Sequence, residues 1–290
     1  MPHEFIADLK DAVAEGIPSS AAIVGEVIKI IYDQSSSAAD LATIIERDPP
    51  LTAKILKISN SAYYGSSKQI TSLQRAVVVL GFDTIKELVT TISVVHSFFQ
   101  SGTTGGVDKP GLWLHSVGTA KAAQLIAQRH GLARPDVTYT VGLLHDIGKI
   151  VTALIFPEQY NRVVEHAIEN ELHIIQSERM ILNIDHCMIG KILCDLWDLP
   201  DALSNAILYH HEPLNTEGEN TLAQITYLGD HMARKVKIGN PGDNFITEPD
   251  LAVLKILGKT PKDVIANYKS VYTEFLAEKE ELIMFFSGLK

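Results

Sequence analysis

Apolar residues recur at helical spacing along almost the whole of this 290-residue chain. One early stripe consists of Ile23, Val24, Val27, Ile28 and Ile31, and later segments repeat the same spacing. Positions i, i+3, i+4 and i+7 lie on one face of an α-helix, so the pattern is typical of helices with one buried side. No segment alternates apolar and polar residues for long enough to predict a sheet. The sequence therefore predicts an all-α protein.

Breaks in this pattern divide the chain into three regions. Asp48-Pro49-Pro50 predicts the end of one helix and the start of the next, because proline fits the first turn of a helix. Residues 101–111, SGTTGGVDKPG, are rich in glycine and turn formers and predict a boundary between lobes. We predict an N-terminal helical lobe over residues 1–108, a helical bundle over residues 109–240, and C-terminal helices packed on that bundle over residues 241–290.

Charge and composition argue against several classes of partner. The formal net charge is -10 and no dense run of lysine and arginine is present, so direct binding to nucleic acid is disfavoured. No stretch of about 18 uninterrupted apolar residues predicts a membrane span, and the N-terminus lacks the apolar core of a secretion signal. We predict a cytoplasmic protein without membrane contact.

The two cysteines, Cys187 and Cys194, lack the CxxC spacing of a zinc or redox motif. We interpret both as buried thiols. Cys187 follows His186 directly, which leaves a redox-sensitive position as the alternative.

Histidine and aspartate interrupt the apolar helices of the second half. Residues 141–151, VGLLHDIGKIV, read as one continuous helix with His145 beside Asp146. Adjacent helix residues point about 100° apart, so both side chains can contact a ligand that lies between them. A buried ionised group is costly unless it is paired or coordinated. Other histidines and one further aspartate also interrupt apolar helices in this half of the chain. The candidate metal ligands are therefore His115, His145, Asp146, His186, His210, His211 and Asp230.

These five imidazoles and two carboxylates form a nitrogen and oxygen ligand set without thiolate. The set suits a divalent transition metal, with iron or manganese preferred and zinc, nickel or cobalt as alternatives, and it is poor for calcium. It can hold one ion, or two ions bridged by a carboxylate, and such pairs activate water for phosphoester cleavage. The competing hypothesis is a polar core in which the histidines form hydrogen bonds within the bundle and bind no metal.

Lys149 lies one helical turn after His145. It can hold a phosphate oxygen as a point charge, or it can be a solvated lysine on the helix surface. If the protein is an enzyme, Asp146 and Lys149 are the candidate catalytic residues.

Seven segments of the chain carry a resemblance to a known family: GIPSS, ERDPPLTAKILKISNSAYYG, ITSLQRAVVVLGFDTIKEL, WLHSVGTAKAAQLIA, GLLHDIGKIV, DHCMIGKILCDLWDLP and AILYHHE. They resemble the HDOD domain, an output domain of bacterial signalling proteins related to the HD superfamily of metal-dependent phosphohydrolases. The resemblance runs from about residue 16 to residue 212. It implies an HD-like helical bundle preceded by an N-terminal helical lobe, and a regulatory role in signal transduction with a protein partner.

At the metal positions the chain is also similar to the HD-GYP cyclic di-GMP phosphodiesterases. That resemblance assigns ligands to one metal (His115, His145, Asp146 and Asp230) and to a second metal (Asp146, His186, His210 and His211), with Asp146 bridging.

Two departures from the HD-GYP pattern weigh against cyclic di-GMP hydrolysis. Gly111 stands where several of those enzymes carry a glutamate, which argues against a third metal, and EPLNTEGENTL follows His211 in place of the GYP signature. We therefore predict a regulatory HDOD protein with a mononuclear or dinuclear metal centre. The alternative is an active metal-dependent phosphohydrolase that acts on a nucleotide, a cyclic dinucleotide or a phosphomonoester.

Overall fold

A computed structural model of the chain describes residues 3–17, 21–61, 64, 69–99, 103–216 and 220–287. Within these ranges the regular structure is helical except for one small antiparallel hairpin, formed by β1 (Thr103–Thr104) and β2 (Val107–Asp108). The predicted all-α class is confirmed. None of the described helices combines the length and the apolar character needed to cross a membrane.

The helices before the hairpin are α1 (His3–Gly16), α2 (Ala22–Tyr32), α3 (Ala38–Ile45), α4 (Pro49–Ser59), α5 (Leu73–Leu80) and α6 (Phe82–Phe98). Those of the central part are α7 (Lys109–His130), α8 (Pro135–Leu144), α9 (Ile147–Ile155), α10 (Pro157–Glu169), α11 (Ile174–Leu182), α12 (His186–Leu196), α13 (Asp201–Leu208) and α14 (Thr221–Lys235). The chain continues through α15 (Leu251–Leu254), a short 3-10 helix (Lys255–Leu257) and α16 (Pro261–Ser287).

Helix starts follow the local sequence. The Asp48 side chain accepts a hydrogen bond from the backbone N–H of Leu51 at 2.9 Å, and prolines occupy the first turn of α4, so the predicted break is confirmed. Asp108 caps α7 in the same way through Gly111 N–H. In the glycine-rich segment predicted as a lobe boundary, residues 103–108 form the hairpin, and residues 101 and 102 lie outside the described residues.

The first helices pack directly on the central ones. Lys86 of α6 donates to the Asp136 carboxylate of α8 at 2.6 Å, and only about a tenth of either side chain is exposed. Arg134 donates to the backbone carbonyls of Ile31 and Tyr32 at the end of α2, each at 2.8 Å. These contacts join the two predicted lobes, whose boundaries remain a prediction.

Small residues bring α7, α8 and α14 close together behind His115. A Cβ atom on Gly118 would lie 2.8 Å from the Ile238 side chain, and one on Gly142 would lie 2.7 Å from the Ala120 backbone. These close contacts bring the polar side chains of the helices together.

A tighter approach joins α9 to α12. A Cβ atom on Gly148 would lie 1.9 Å from the backbone oxygen of His186, so Gly148→Ala must force the two helices apart. Overpacking of this kind costs typically about 1 to 3 kcal/mol, and we expect the upper end of that range because a backbone atom has to move. Chemical denaturation of the variant measures this loss.

Gly190→Ala is the matched control at the same helix contact. Its added methyl group would meet the Ile207 side chain at 2.8 Å, and a side chain can turn aside where a backbone cannot. We expect Gly190→Ala to cost clearly less than Gly148→Ala. Equal losses would contradict the assignment of the strain to the α12 backbone.

Candidate metal centre

The predicted ligands lie where helices begin, end or cross. His115 and Asp230 lie within α7 and α14, and His186 is the first residue of α12. His145 and Asp146 occupy a turn between α8 and α9, so the prediction of one continuous helix over residues 141–151 is wrong. The backbone of Asp146, with φ −99° and ψ 9°, leaves the helical conformation at that point. His210 and His211 follow the end of α13.

The Asp146 carboxylate lies between two groups of imidazoles. Its Oδ2 atom is 3.3 Å from His145 Nε2 and 3.7 Å from His115 Nε2. Its Oδ1 atom is 3.2 Å from His186 Nε2 and 3.8 Å from His210 Nε2. Each oxygen therefore faces a different pair of histidines.

The remaining two predicted residues extend these groups. Asp230 Oδ1 lies 2.9 Å from His115 Nε2 and 3.9 Å from His145 Nε2. His211 Nε2 lies 3.1 Å from His186 Nε2. All the predicted residues thus meet in one place. His211 alone of this set is partly exposed, and the others are buried.

Backbone carbonyls orient two of the rings. His145 Nδ1 lies 2.7 Å from the oxygen of Gly142, and His210 Nδ1 lies 2.7 Å from the oxygen of Ile207. A carbonyl can only accept, so each Nδ1 atom carries the hydrogen. When the ring is neutral, its Nε2 atom therefore keeps a free lone pair, as in metal-binding histidines.

A carboxylate orients the third ring. Glu178 Oε2 lies 2.6 Å from His186 Nδ1 and also accepts the backbone N–H of His186 at 3.0 Å. Tyr160 donates its hydroxyl to the other Glu178 oxygen at 2.7 Å. Such carboxylate to histidine pairs commonly support metal ligands.

Several atoms at the centre have no hydrogen-bond partner among the described residues although they are fully buried: both ring nitrogens of His115, His145 Nε2, His210 Nε2 and Asp146 Oδ1. His115 Nε2 is close to Asp230, but the contact lacks hydrogen-bond geometry. Leaving a buried polar atom unsatisfied costs about 1 to 3 kcal/mol. The alternative of a fully hydrogen-bonded histidine core does not fit these atoms, whereas a cation between them would satisfy most of them.

Lys149 is buried and takes part in the same centre. Its Nζ donates to Asp146 Oδ2 at 2.7 Å and to the backbone oxygen of Pro241 at 2.9 Å. The interpretation of Lys149 as a solvated surface lysine is wrong, because only 1% of the side chain is exposed. The ammonium group places a positive charge beside the carboxylate.

The carboxylates are held in their ionised form. Burial raises the pKa of Asp146, but the neighbouring His145 and Lys149 outweigh burial and hold the pKa well below its usual range. Burial likewise raises the pKa of Asp230, and the Arg234 guanidinium reverses this effect. Both groups are therefore anionic at neutral pH, as metal ligands must be.

The pKa values of the imidazoles are shifted in different directions. Burial and neighbouring rings hold the pKa of His210 and of His211 well below the usual value, so these rings are neutral. Burial also lowers the pKa of His186, but Cys187 and Glu178 raise it well above the usual value. A metal at His186 would displace the proton from Nε2.

Arg234 ties the centre to the loop after α14. Its Nε atom donates to both Asp230 oxygens at 3.0 and 3.1 Å, and its Nη1 atom donates to Asp243 Oδ1 at 2.7 Å. Asp243 also accepts the backbone N–H of Ile174 at the start of α11. All three charged side chains are buried. This network holds the Asp230 carboxylate toward His115.

A cleft of about 310 Å³ opens beside the centre and reaches His211 and Asp230. His173 and Arg179 line the same cleft. The His173 ring packs edge-on against His211 with centroids 4.6 Å apart, and burial followed by the charge of Arg234 lowers its pKa to about 4. A molecule in this cleft can reach the partly exposed His211.

Sequence reasoning missed several residues at this centre. Arg234 follows Asp230 by four residues, which is the spacing of a helical ion pair and could have indicated it. Glu178 lies on the apolar face that Ile174, Ile175 and Leu182 mark, so a buried acid could also have been inferred. The sequence offers no comparable signal for His173.

The fold and this centre define a protein of the HD type, in which a His-Asp pair lies inside a helical bundle. The chain belongs to the HDOD domain family, because the profile of that family matches residues 17–213. A structure of an HDOD domain protein of unknown function from Geobacter sulfurreducens is 26% identical with a TM-score of 0.77, covering 97% of this chain and 99% of that one.

Two further relatives share slightly less of their sequence with this chain. A candidate phosphohydrolase from Shewanella amazonensis SB2B is 21% identical with a TM-score of 0.73, covering 97% of this chain and 98% of that one, which shows the shared fold. An uncharacterized protein of Treponema pallidum (strain Nichols) is 24% identical over 209 residues, or 72% of this chain. The chain spans only 40% of the length of that curated relative.

Proposed function

We propose that this HDOD protein is a cytoplasmic bacterial signalling module whose bundle holds one or two divalent transition-metal ions and whose surface engages a protein partner. The observation that carries the metal centre is the buried Asp146 carboxylate, whose two oxygens face separate histidine pairs with unsatisfied nitrogen atoms. Iron or manganese is the preferred metal, and zinc, nickel and cobalt are the alternatives. The regulatory role and the protein partner rest on membership of the HDOD family.

Two sets of residues would hold the metal. His115, His145 and Asp230 lie on the Oδ2 side of Asp146, while the remaining histidines, His186, His210 and His211, lie on the Oδ1 side or beside His186. A bound ion of this kind can polarise a phosphoryl oxygen and lower the pKa of water. The hydrogen-bond partners of the Nδ1 atoms orient the histidine rings. Lys149 and Arg234 balance the negative charges of Asp146 and Asp230.

The second candidate function is hydrolysis of a nucleotide, a cyclic dinucleotide or a phosphomonoester. The cleft beside His211 and Asp230 favours it, because a substrate would need a route to a buried centre. Arg179 lines this cleft and can attract a phosphate, although it also pairs with Asp185 and Glu212. Lys149 could contact a phosphate oxygen only if it exchanged one of its present acceptors.

Metal analysis and an activity assay test these proposals together. We expect natively purified protein to contain a transition metal, and the metal-free chain to be stabilised by added Fe²⁺ or Mn²⁺, because a ligand specific for the folded state must stabilise it. Absence of both effects would contradict the metal centre. Turnover of a nucleotide, cyclic-dinucleotide or phosphomonoester panel that disappears in Asp146→Ala would support the enzyme over the purely regulatory module.

A further inference from the structure

A cysteine lies within the imidazole group on the Oδ1 side of Asp146. Cys187 follows His186 at the start of α12 and is buried. Its Sγ atom lies 3.6 Å from His186 Nε2 and 3.8 Å from His210 Nδ1. One potential ligand atom from each of His186, Cys187, His210 and His211 can be chosen so that all lie within 4.8 Å of one another.

The spacing matches that of a metal site with sulfur and nitrogen ligands. A tetrahedral ion bound by sulfur at about 2.3 Å and by nitrogen at about 2.0 to 2.1 Å separates sulfur from nitrogen by about 3.6 Å and two nitrogens by about 3.3 Å. The chain has 3.6 Å between Cys187 Sγ and His186 Nε2, and 3.1 Å between His186 Nε2 and His211 Nε2. The distances between these atoms are therefore close to those between the ligands of one metal ion.

A hydrogen bond made by the thiol is a simpler explanation of the contacts of Cys187, but it leaves other buried atoms of the centre without partners. A hydrogen bond between Cys187 Sγ and His186 Nε2 would satisfy that pair alone. It would leave His210 Nε2 and Asp146 Oδ1, both fully buried and 3.8 Å apart, without partners. An ion held by the sulfur and by His186 Nε2 would also lie near these two atoms, because His186 Nε2 is 3.2 Å from Asp146 Oδ1.

The other cysteine provides an internal comparison. Cys194 lies on the same helix and is equally buried, and burial raises the pKa of both thiols. It belongs to no potential ligand group among the described residues. The two thiols therefore differ in their neighbours and not in their burial.

We propose that Cys187 is a thiolate ligand, together with His186 and His211, of the metal ion on the Oδ1 side of Asp146. The proposal rests on the metal centre proposed above and replaces the expected thiolate-free ligand set on that side. On binding, the S–H bond breaks, its proton passes to solvent, and a sulfur–metal bond forms without a change of oxidation state. Because thiolate favours softer ions, this side would select Zn²⁺, while the nitrogen and oxygen ligands around His115 would accept Fe²⁺ or Mn²⁺.

Titration of the metal-free 290-residue chain with Co²⁺ tests this assignment. Thiolate bound to Co²⁺ gives a charge-transfer band in the near ultraviolet, and Co²⁺ bound only by nitrogen and oxygen does not. We expect the band in the wild type and in the matched control Cys194→Ser, and we expect its loss in Cys187→Ser while equilibrium dialysis still detects bound Co²⁺.

The outcomes separate the two proposals. Co²⁺ bound without the band in the wild type, or a band that survives in Cys187→Ser, would overturn the sulfur ligand and leave the metal centre standing. No bound Co²⁺ by dialysis would overturn both. X-ray absorption of the Zn²⁺-loaded wild type needs no variant: a sulfur scatterer at about 2.3 Å supports Cys187 as a ligand, and a shell of nitrogen and oxygen alone contradicts it.

Discussion

Asp146→Asn is expected to abolish tight metal binding and to destabilise the metal-free protein. The amide keeps the shape of the carboxylate but carries no charge toward the two histidine pairs, so we expect at least about a 100-fold loss of metal affinity, beyond the effect of losing a supporting residue. The Lys149 ammonium, 2.7 Å away and buried, also loses its counter-charge. Breaking a buried ion pair costs about 3 to 5 kcal/mol. Thermal unfolding with a chelator and with excess Mn²⁺ measures the two effects separately.

The pair of Lys149 and Asp146 changes how this variant must be interpreted. Without that pair, a loss of stability would itself have favoured a metal bridge over a metal-free polar core. With it, both hypotheses predict a destabilised chain, and only the metal-dependent increase in melting temperature distinguishes them. An Asp146→Asn chain that gains as much stability from Mn²⁺ as the wild type does would contradict the metal centre.

Asp195→Asn is the matched control. Asp195 pairs with Lys191 at 2.8 Å within α12, but about a third of each side chain is exposed. Exposed pairs of this type contribute about 0.3 to 0.5 kcal/mol. We expect Asp195→Asn to change neither the metal affinity nor the melting temperature by a measurable amount.

The fold class could be predicted from the sequence because the spacing of apolar residues within each helix predicts which face is buried. Stripes such as Val24, Val27, Ile28 and Ile31 are buried as their spacing predicts. Asp48 with its two prolines marks a boundary by local chemistry alone. Both features depend only on residues a few positions away in the sequence, so the sequence alone predicts them.

The residue types at the candidate centre could be predicted from the sequence, but the backbone conformation that places them could not. The sequence predicts an unbroken helix through His145 and Asp146, because no proline interrupts residues 141–151. The break at Asp146 accompanies a tertiary contact, the approach of Gly148 to the backbone of His186 across 38 positions. Helix propensity depends on nearby residues and cannot predict a contact between residues so far apart in the sequence.

The partners that complete the centre were missed for the same reason. The sequence predicts Lys149 as a phosphate contact or a surface residue, whereas Lys149 donates to Asp146 and to the backbone oxygen of Pro241, 92 positions away. Cys187 is the buried thiol that the sequence predicts, but its neighbours are set by the packing of α12 against the end of α13. A ligand list can therefore be read from residue chemistry, whereas the charge balance of the site requires the fold.

Arg234→Met is expected to be the most destabilising change on α14. The methionine fills much of the same volume but leaves Asp230 and Asp243 buried without their shared guanidinium. Loss of one partner of a buried pair costs about 3 to 5 kcal/mol, and here two carboxylates lose the same partner. We expect a loss within or above that range in chemical denaturation of the metal-free chain. Arg129→Met, at an exposed pair with Glu274, is the control and should cost less than about 1 kcal/mol.

The pH dependence of this loss identifies its cause. In the wild type, burial raises the pKa of Asp243 and of Asp230, and Arg234 reverses this, so both depressed pKa values stabilise the fold above about pH 4 and this stability is lost on acidification. Without Arg234 burial prevails, the folded-state pKa values rise above those of the unfolded chain, and protonation relieves the buried charge. The difference between wild type and Arg234→Met should therefore shrink as the pH falls from 7 toward 4. A difference that stays constant over this range would assign the loss to packing of the side chain and not to its charge.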